Sequence, residues 1–207
     1  MNPPTRFFSF VIFFAVSLIF IGTSIAQSDP KPQVESNYEA VLHVILGSSD
    51  ADQSGGLPKS LSGVSTQLKA TFTFSNYKLV NTYLGRIANA GNLDYKGMAN
   101  IYGQEQESDT PSFLDWRLGG FRRVNEGAGR GAFQIQSFKF GARVPIKTGS
   151  FKDDGGKLQS VINYESLGLS LDKLSFTENS PTLIGTLSLP KTTGTVFLVL
   201  TVKSLEN

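Results

Sequence analysis

The sequence predicts a mainly β, α+β fold: an antiparallel β-sandwich or partial barrel with one amphipathic helix near the start of the mature chain. Three observations support this fold class. An apolar strand and a helical stripe of apolar residues open the folded part, about seven or eight strand segments separated by turns follow, and an apolar strand closes it. The 207 residues are enough to bury a core even without the amino-terminal segment.

Residues 1–26 have the layout of a secretory signal peptide. Arg6 precedes an apolar run over residues 7–21, and Ser24 and Ala26 take the minus-three and minus-one positions of a cleavage site before Gln27. The run has about 15 residues, whereas a spanning helix needs roughly 20. We expect a cleaved signal and a periplasmic, outer-membrane-associated or secreted protein. The alternative is an uncleaved segment, which would be the protein's only membrane contact.

The mature chain is predicted as a flexible leader followed by one domain. Residues 27–37 are polar and contain two prolines, which is typical of a leader without fixed structure. Residues 38–207 form a single β-rich domain, with 38–104 as a candidate β-α-β-β subdomain. Its first strand covers residues 38–47, in which every second residue from Tyr38 to Leu46 is apolar, as expected of a buried strand.

A helix is predicted over residues 58–70. The apolar residues in this region follow spacings of four, three and four, which place them on one stripe of a helix: Leu57, Leu61, Val64 and Leu68. Pro58 suits the first helical turn, where a missing N–H donor does no harm. Gly63 lowers the helical propensity but leaves the stripe intact.

In two later segments, residues 133–146 and 167–176, the apolar residues switch from one face of the predicted strand to the other. The alternation switches parity near Ser137, and again between Leu171 and Leu174, which predicts β-bulges because a period of two cannot change parity otherwise. Residues 148–157 are predicted as the turn between these stretches. Residues 182–190 and 195–203 predict a hairpin, and its second strand is central because both of its faces are apolar.

Composition excludes several classes of function. Without Arg6 the mature chain has 18 basic and 17 acidic residues, a net charge of +1, so nucleic acid is not an expected partner. Cysteine is absent, which excludes disulfides, thiol catalysis and thiolate metal sites. No Asn-x-Ser/Thr glycosylation site occurs either, and both absences fit a bacterial envelope protein.

Catalytic candidates are few. His43, the single histidine, lies mid-strand with no local nucleophile or metal-ligand spacing, which favours a half-buried structural residue. Asp94, Asp115 and Glu165 could supply a glycosidase pair only if two of them face one cleft. No cofactor is therefore expected, and a secreted hydrolase is the least favoured function.

Two loops carry weak binding candidates. Asp50, Asp52 and Ser54, followed by Gly55, resemble the start of a calcium loop, but Leu61 stands where the bidentate glutamate belongs, so no metal is expected. The glycine-rich loop over residues 127–131 precedes a strand, unlike a phosphate-binding loop. Near it, Arg122, Arg123 and Arg130 are candidates for an anion- or partner-binding patch.

Exposed aromatic side chains would favour a second kind of site, for a glycan or a lipid. Trp116 is the main candidate, and several tyrosines could accompany it on one open face: Tyr77, Tyr83, Tyr95 and Tyr102. Burial in the core is the competing interpretation for most of these rings.

Two blocks of sequence, LHVILGSSDADQSGGLPKSLSGVSTQLKATFTFSNYKLVNTYLGRI (42–87) and VINYESLGLSLDKLSFTENSPTLIGTLSLPKTTGTVFLVLTVK (161–203), carry a resemblance. Together they resemble a poorly characterised group of exported bacterial proteins in which a strand-helix unit leads into a β-rich body. The second block is also similar to β-rich periplasmic segments of outer-membrane secretion machinery. The resemblance implies export and envelope assembly, and it assigns no functional residue.

These observations predict an exported, non-enzymatic envelope protein that binds a protein partner or another copy of itself. Edge strands near residues 77–102 are the predicted pairing sites, since a central strand over residues 195–203 has no free edge. A glycan- or lipid-binding β module is the alternative.

Overall fold

The structure is a computed structural model that describes residues 37–49, 56–99, 110–124, 131–189 and 194–205. The predicted signal peptide and all of the predicted leader except Asn37 lie outside the described residues. The helix α1 spans Ser62–Thr71 and follows a 3₁₀ turn, Lys59–Leu61. The strands are β1 Asn37–Ser48, β2 Asn76–Ala88, β3 Leu93–Ala99, β4 Ser112–Gly119, β5 Arg122–Val124, β6 Ala132–Lys152, β7 Leu158–Thr177, β8 Thr182–Ser188 and β9 Thr195–Ser204.

Sheet 1 has four antiparallel strands in the order β2-β1-β9-β8. The predicted hairpin of residues 182–190 and 195–203 is confirmed as β8 and β9, and β9 is central, between β1 and β8. Pairing of β1 with β9 joins the first two strands of the segment 38–104 to the carboxyl-terminal hairpin in sheet 1, whereas β3 of that segment belongs to sheet 2. Both faces of β9 are buried, which explains its continuous apolar sequence.

Sheet 2 is built around β6. Strand β7 pairs along one edge of β6, β4 and β5 pair one after the other along its opposite edge, and β3 pairs with β4. All of these pairings are antiparallel. Strands β3 and β7 therefore border sheet 2, as β2 and β8 border sheet 1.

The inner faces of the two sheets enclose the main core. Apolar side chains of β1 and β9 pack there against Trp116, Phe133 and Phe138 of sheet 2. The predicted mainly β sandwich with one short helix is confirmed for the described residues, and the sheets do not close into a barrel.

The helix covers part of the outer face of sheet 1. Leu61, Val64 and Leu68 are buried there against Ile45 and Phe197, while Leu57 packs at the margin of the cluster. The predicted helix over 58–70 is confirmed, with its first turn in 3₁₀ form after Pro58. Its glycine lies on the exposed side.

The predicted bulges near Ser137 and between Leu171 and Leu174 are wrong. The pairing of β6 with β4 and β5 on one side, and with β7 on the other, keeps the same register through this region. The buried side chains nevertheless change face in all of these strands at the same level, where Gly120, Gln136 and Lys173 lie side by side. Gly120 has φ +63° and Lys173 has φ +57°. The left-handed backbone of Gly120 and Lys173, on the two sides of β6, thus accompanies the change of face, and no strand contains the inserted residue of a bulge.

Strands β6 and β7 continue past the sandwich as a two-stranded ribbon, residues 145–152 paired with 158–164. Residues 147–152 and 158–164 are all exposed except Ile162, which is partly buried. The predicted turn over 148–157 is therefore too long, since the strands reach Lys152 and Leu158. The register does shift within the ribbon, at a bulge between Lys147 and Gly149.

Candidate interaction surfaces

His43 lies on the outer face of sheet 1, and none of the described carboxylates contacts it. Its Nδ1 is 3.0 Å from Thr82 Oγ1, and burial lowers the pKa of the imidazole. Glu39 shares this face but is four residues along the strand, about 13 Å away at the usual rise. Glu39 instead forms an ion pair with Lys203 on β9. The two residues therefore do not form a catalytic dyad.

The three candidate carboxylates do not meet in one cleft. Asp94 forms an ion pair with Arg117 at 3.1 Å on the outer face of sheet 2. Asp115 occupies the next cross-strand row of that face, opposite Lys96. Glu165 is opposite Val144, whose side chain is buried, so Glu165 projects from the other side of the sheet.

The calcium-loop candidates Asp50, Asp52 and Ser54 lie outside the described residues. Among the residues that the structure describes, no group of three or more His, Cys, Asp or Glu side chains could hold a metal ion. No helix in the described part of the chain is long and apolar enough to span a membrane.

The two described arginines of the predicted patch make contacts within the domain. Arg122 donates to Gln134 Oε1 on β6 with its Nε, at 2.8 Å, and also with its Nη2. Arg123 pairs with Glu178 at 3.7 Å. Arg130 lies outside the described residues. The geometry thus gives Arg122 and Arg123 separate partners within the domain, Gln134 and Glu178.

Trp116 is a core residue, which corrects its proposed role at a binding surface. Its side chain is 0 % exposed, because position 116 faces sheet 1 in the alternation of β4. Tyr83 is also buried, and its ring packs against that of Tyr95 with centroids 5.1 Å apart. Burial, with a smaller contribution from Tyr95, raises the pKa of Tyr83 to about 12. Tyr77 is buried too, and Tyr102 is not described.

A different set of side chains forms an exposed apolar surface, here called the outer groove, on sheet 2. Met98, Phe113 and Arg143 lie in one cross-strand row, and together with Lys96, Asp115 and the neighbouring residues Gly97 and Leu114 they line a volume of about 410 Å³. Tyr164 borders it, with its ring 5.9 Å from that of Phe113 and 5.5 Å from the Arg143 guanidinium. These residues come from separate strands, so only the register reveals their proximity.

The ribbon is the second exposed apolar surface, and its two edges differ. On β7, Leu158 is 61 % and Val161 is 40 % exposed, and residues 158–164 include no charged residue or proline. No described strand pairs with the outer edge of β7. On the β6 edge lie Pro145, Lys147 and Lys152 and the bulge, features that oppose the addition of a strand.

Asp153 orders the turn at the tip of the ribbon. Its Oδ1 accepts hydrogen bonds from the backbone N–H of Lys157 at 2.7 Å and of Gly155 at 3.1 Å. The Lys157 bond and the Gln159 side chain hold the pKa of Asp153 below its ordinary value. The ribbon therefore ends in a hydrogen-bonded turn, with Gly156 at φ +77°.

The segment 77–102 was predicted to contain pairing edges. Its described part includes β2 and β3, and each of these strands borders its sheet. They carry charged residues such as Arg86 and Lys96, which the β7 edge lacks between residues 158 and 164. The sequence did not indicate β7 as an edge, because strand order is a property of the assembled sheets.

The chain matches no protein-family model, and no curated protein is significantly similar to it. The resemblance of residues 42–87 and 161–203 to exported bacterial proteins therefore stays a prediction.

Proposed function

We propose that the protein is an exported, non-enzymatic component of a bacterial envelope that acts by binding a protein partner or a second copy of itself. The observation that carries this proposal is the ribbon, whose β7 edge is exposed, uncharged and unpaired by any described strand. Sheet edges of this kind bind other chains by strand addition.

The arrangement of the catalytic candidates supports a binding role. His43 is hydrogen-bonded to a threonine, Asp94 is paired with an arginine, and Glu165 projects from the opposite side of its sheet to Asp115. Acid–base chemistry requires groups that converge on one substrate position. The ribbon, in contrast, presents apolar side chains and backbone polar groups together.

Site-specific photo-crosslinking in intact cells tests the proposal. A photo-reactive residue at Ser160, exposed on the ribbon, is expected to yield a discrete protein adduct. The matched control is the same residue at Ser62, an exposed serine at the start of α1. Equal labelling from both sites, or no adduct from Ser160, would contradict a binding role for the ribbon.

Export is tested separately on the full-length protein. We expect a tagged chain to fractionate with the cell envelope or the medium, and its mature amino terminus to be Gln27. An intact amino terminus in the membrane fraction would instead indicate that residues 7–21 are retained as an anchor.

The outer groove favours a second candidate function, the binding of a glycan or lipid. Its aromatic rings and its charged rim of Lys96, Asp115 and Arg143 could contact an amphipathic ligand. Phe113→Ala would then abolish binding of a glycan or fatty acid while leaving the Ser160 crosslink unchanged. If no member of either ligand class binds the purified protein, this candidate fails.

A further inference from the structure

The β7 edge of the ribbon has the features of a symmetric dimer interface. We infer that two copies of this chain pair their β7 strands antiparallel over residues 158–164, about a two-fold axis at Val161. This inference rests on the proposed function and names a second copy of the chain as the partner.

Backbone geometry places free hydrogen-bonding groups on the required side. Thr148 Oγ1 donates to the carbonyl oxygen of Val161 at 3.3 Å, so the backbone polar groups of Val161 face β6. Alternate residues of a strand direct these groups to opposite sides. The N–H and C=O groups of Ser160 and Ile162 therefore face the open edge, where a second strand can pair with them.

Side-chain complementarity selects the register. With the axis at Val161, Leu158 of one copy lies opposite Tyr164 of the other, which joins two exposed apolar side chains. The same register places Lys157 opposite Glu165, twice in the dimer. Both charges are exposed, and neither forms an ion pair with a described residue. Moving the axis to Ser160 or Ile162 separates these charges.

The difference between the ribbon edges favours a closed pair over a filament. Addition of β6 of one copy to β7 of another would be head-to-tail, and it would continue as a filament unless the rotation between copies closed a ring. Pro145, Lys147, Lys152 and the bulge oppose pairing along β6. Only β7 with β7 uses the open edge of both copies, and that arrangement is isologous and closes at two.

A charge-swap series measured by sedimentation equilibrium on the purified protein tests the inference. Lys157→Glu and Glu165→Lys each place like charges opposite one another twice, and each is expected to raise the dimer dissociation constant about tenfold. The double variant restores both opposite-charge pairs, so its dissociation constant should return to that of the parent. Lys69→Glu on the exposed face of α1 is the matched control and should have no effect.

A second variant examines the backbone independently of charge. Ser160→Pro removes an N–H that faces the open edge, and it should abolish dimerisation if circular dichroism shows that the variant is folded. A parent protein that stays monomeric while the Ser160 crosslink captures a different protein would overturn the β7 dimer and leave the proposed function intact. A dimer unaffected by both single charge variants would also overturn it. Monomer without any crosslink would overturn both proposals.

Discussion

At the scale of single residues, two buried tyrosines differ in what their hydroxyl groups contact. Tyr77 donates to the carbonyl oxygens of Leu68 and Phe72, at 3.0 and 3.2 Å, and thereby joins β2 to the end of α1. The Tyr83 hydroxyl is buried without a hydrogen-bond partner in the described part of the chain. Since an unmade hydrogen bond costs free energy, the two hydroxyl groups affect stability in opposite directions.

Removal of each hydroxyl measures this difference. We expect Tyr77→Phe to lower the free energy of unfolding by about 1 kcal/mol, whereas Tyr83→Phe should leave it unchanged or raise it by up to about 1 kcal/mol. Urea denaturation at neutral pH gives both values. A larger loss for Tyr83→Phe than for Tyr77→Phe would contradict the hydrogen-bond assignments.

The raised pKa of Tyr83 predicts an alkaline effect. Between about pH 10, where an unfolded tyrosine ionises, and the folded pKa of about 12, the unfolded chain binds fewer protons, so stability falls as pH rises. Tyr83→Phe should reduce this fall in urea denaturation at pH 10–12. An unchanged slope would show that Tyr83 titrates normally.

Two glycines also have opposite roles. Gly120 has φ +63°, and an added Cβ would lie 2.6 Å from the Gln136 side chain, so Gly120→Ala should cost at least about 1–2 kcal/mol. A Cβ at Gly63 in α1 would meet open space, so Gly63→Ala should stabilise the protein by about 0.5–1 kcal/mol. Denaturation midpoints measure both effects. If both variants changed the stability equally and in the same direction, the opposite roles of Gly120 and Gly63 would be refuted.

At the scale of elements, Glu178 connects the end of β7 with two other strands. Its carboxylate accepts hydrogen bonds from the backbone N–H of Ser204, at 3.0 Å, and from the Ser204 hydroxyl at the end of β9, and it pairs with Arg123 of β5. The Ser204 hydroxyl contributes most to lowering the pKa of Glu178. This residue therefore links sheet 2 to sheet 1.

Loss of the Glu178 carboxylate should weaken that link. Glu178→Ala is expected to lower the free energy of unfolding by about 2 kcal/mol near neutral pH, while Asp172→Ala, an exposed control in β7, changes it by less than about 0.5 kcal/mol. Because the pKa is lowered, the stabilisation is present above the ordinary glutamate value of about 4.3 and disappears as pH falls through the folded value. The free energies of unfolding of the parent and of Glu178→Ala, plotted against pH, should therefore converge in acid. A pH-independent difference would contradict the ionic role.

The elements with at least one buried face were predictable from sequence. The stripe of Leu61, Val64 and Leu68 indicated α1, and the apolar residues of β9 indicated a central strand, because burial produces a period or a run. The ribbon was missed in part, since residues 147–152 are exposed on both faces and show no alternation to detect. The parity switch correctly located a change of face near Ser137, but its attribution to a bulge was wrong, because the neighbouring strands change face at the same level.

At the scale of the whole molecule, the buried core and the exposed part of the ribbon do not share residues. The core lies between the sheets and under α1, and exposed residues 147–152 and 158–161 of the ribbon contribute none of its buried side chains. The binding proposed for the ribbon can therefore be tested by removing the ribbon without removing the core.

A shortened chain tests this separation. Ile146 and Asn163 lie directly opposite one another, and the backbone groups of Asn163 face β6, so Asn-Gly can replace residues 147–162 as a two-residue hairpin turn. We expect native circular dichroism and a Tm within a few degrees of the parent, with loss of dimerisation. Unfolding of this variant would show that the ribbon supports the core. A folded variant that still dimerises would place the interface elsewhere.

The sequence by itself determined the mainly β class, the helix, the closing hairpin and the central place of β9, because each depends on a local pattern of buried residues. Only the tertiary structure decided that Trp116 faces the core, that Phe113 and Tyr164 meet on the outer surface, and that β7 is an open edge. These features depend on strand order and register, which arise from pairing between distant segments and leave no periodic signal in any one of them.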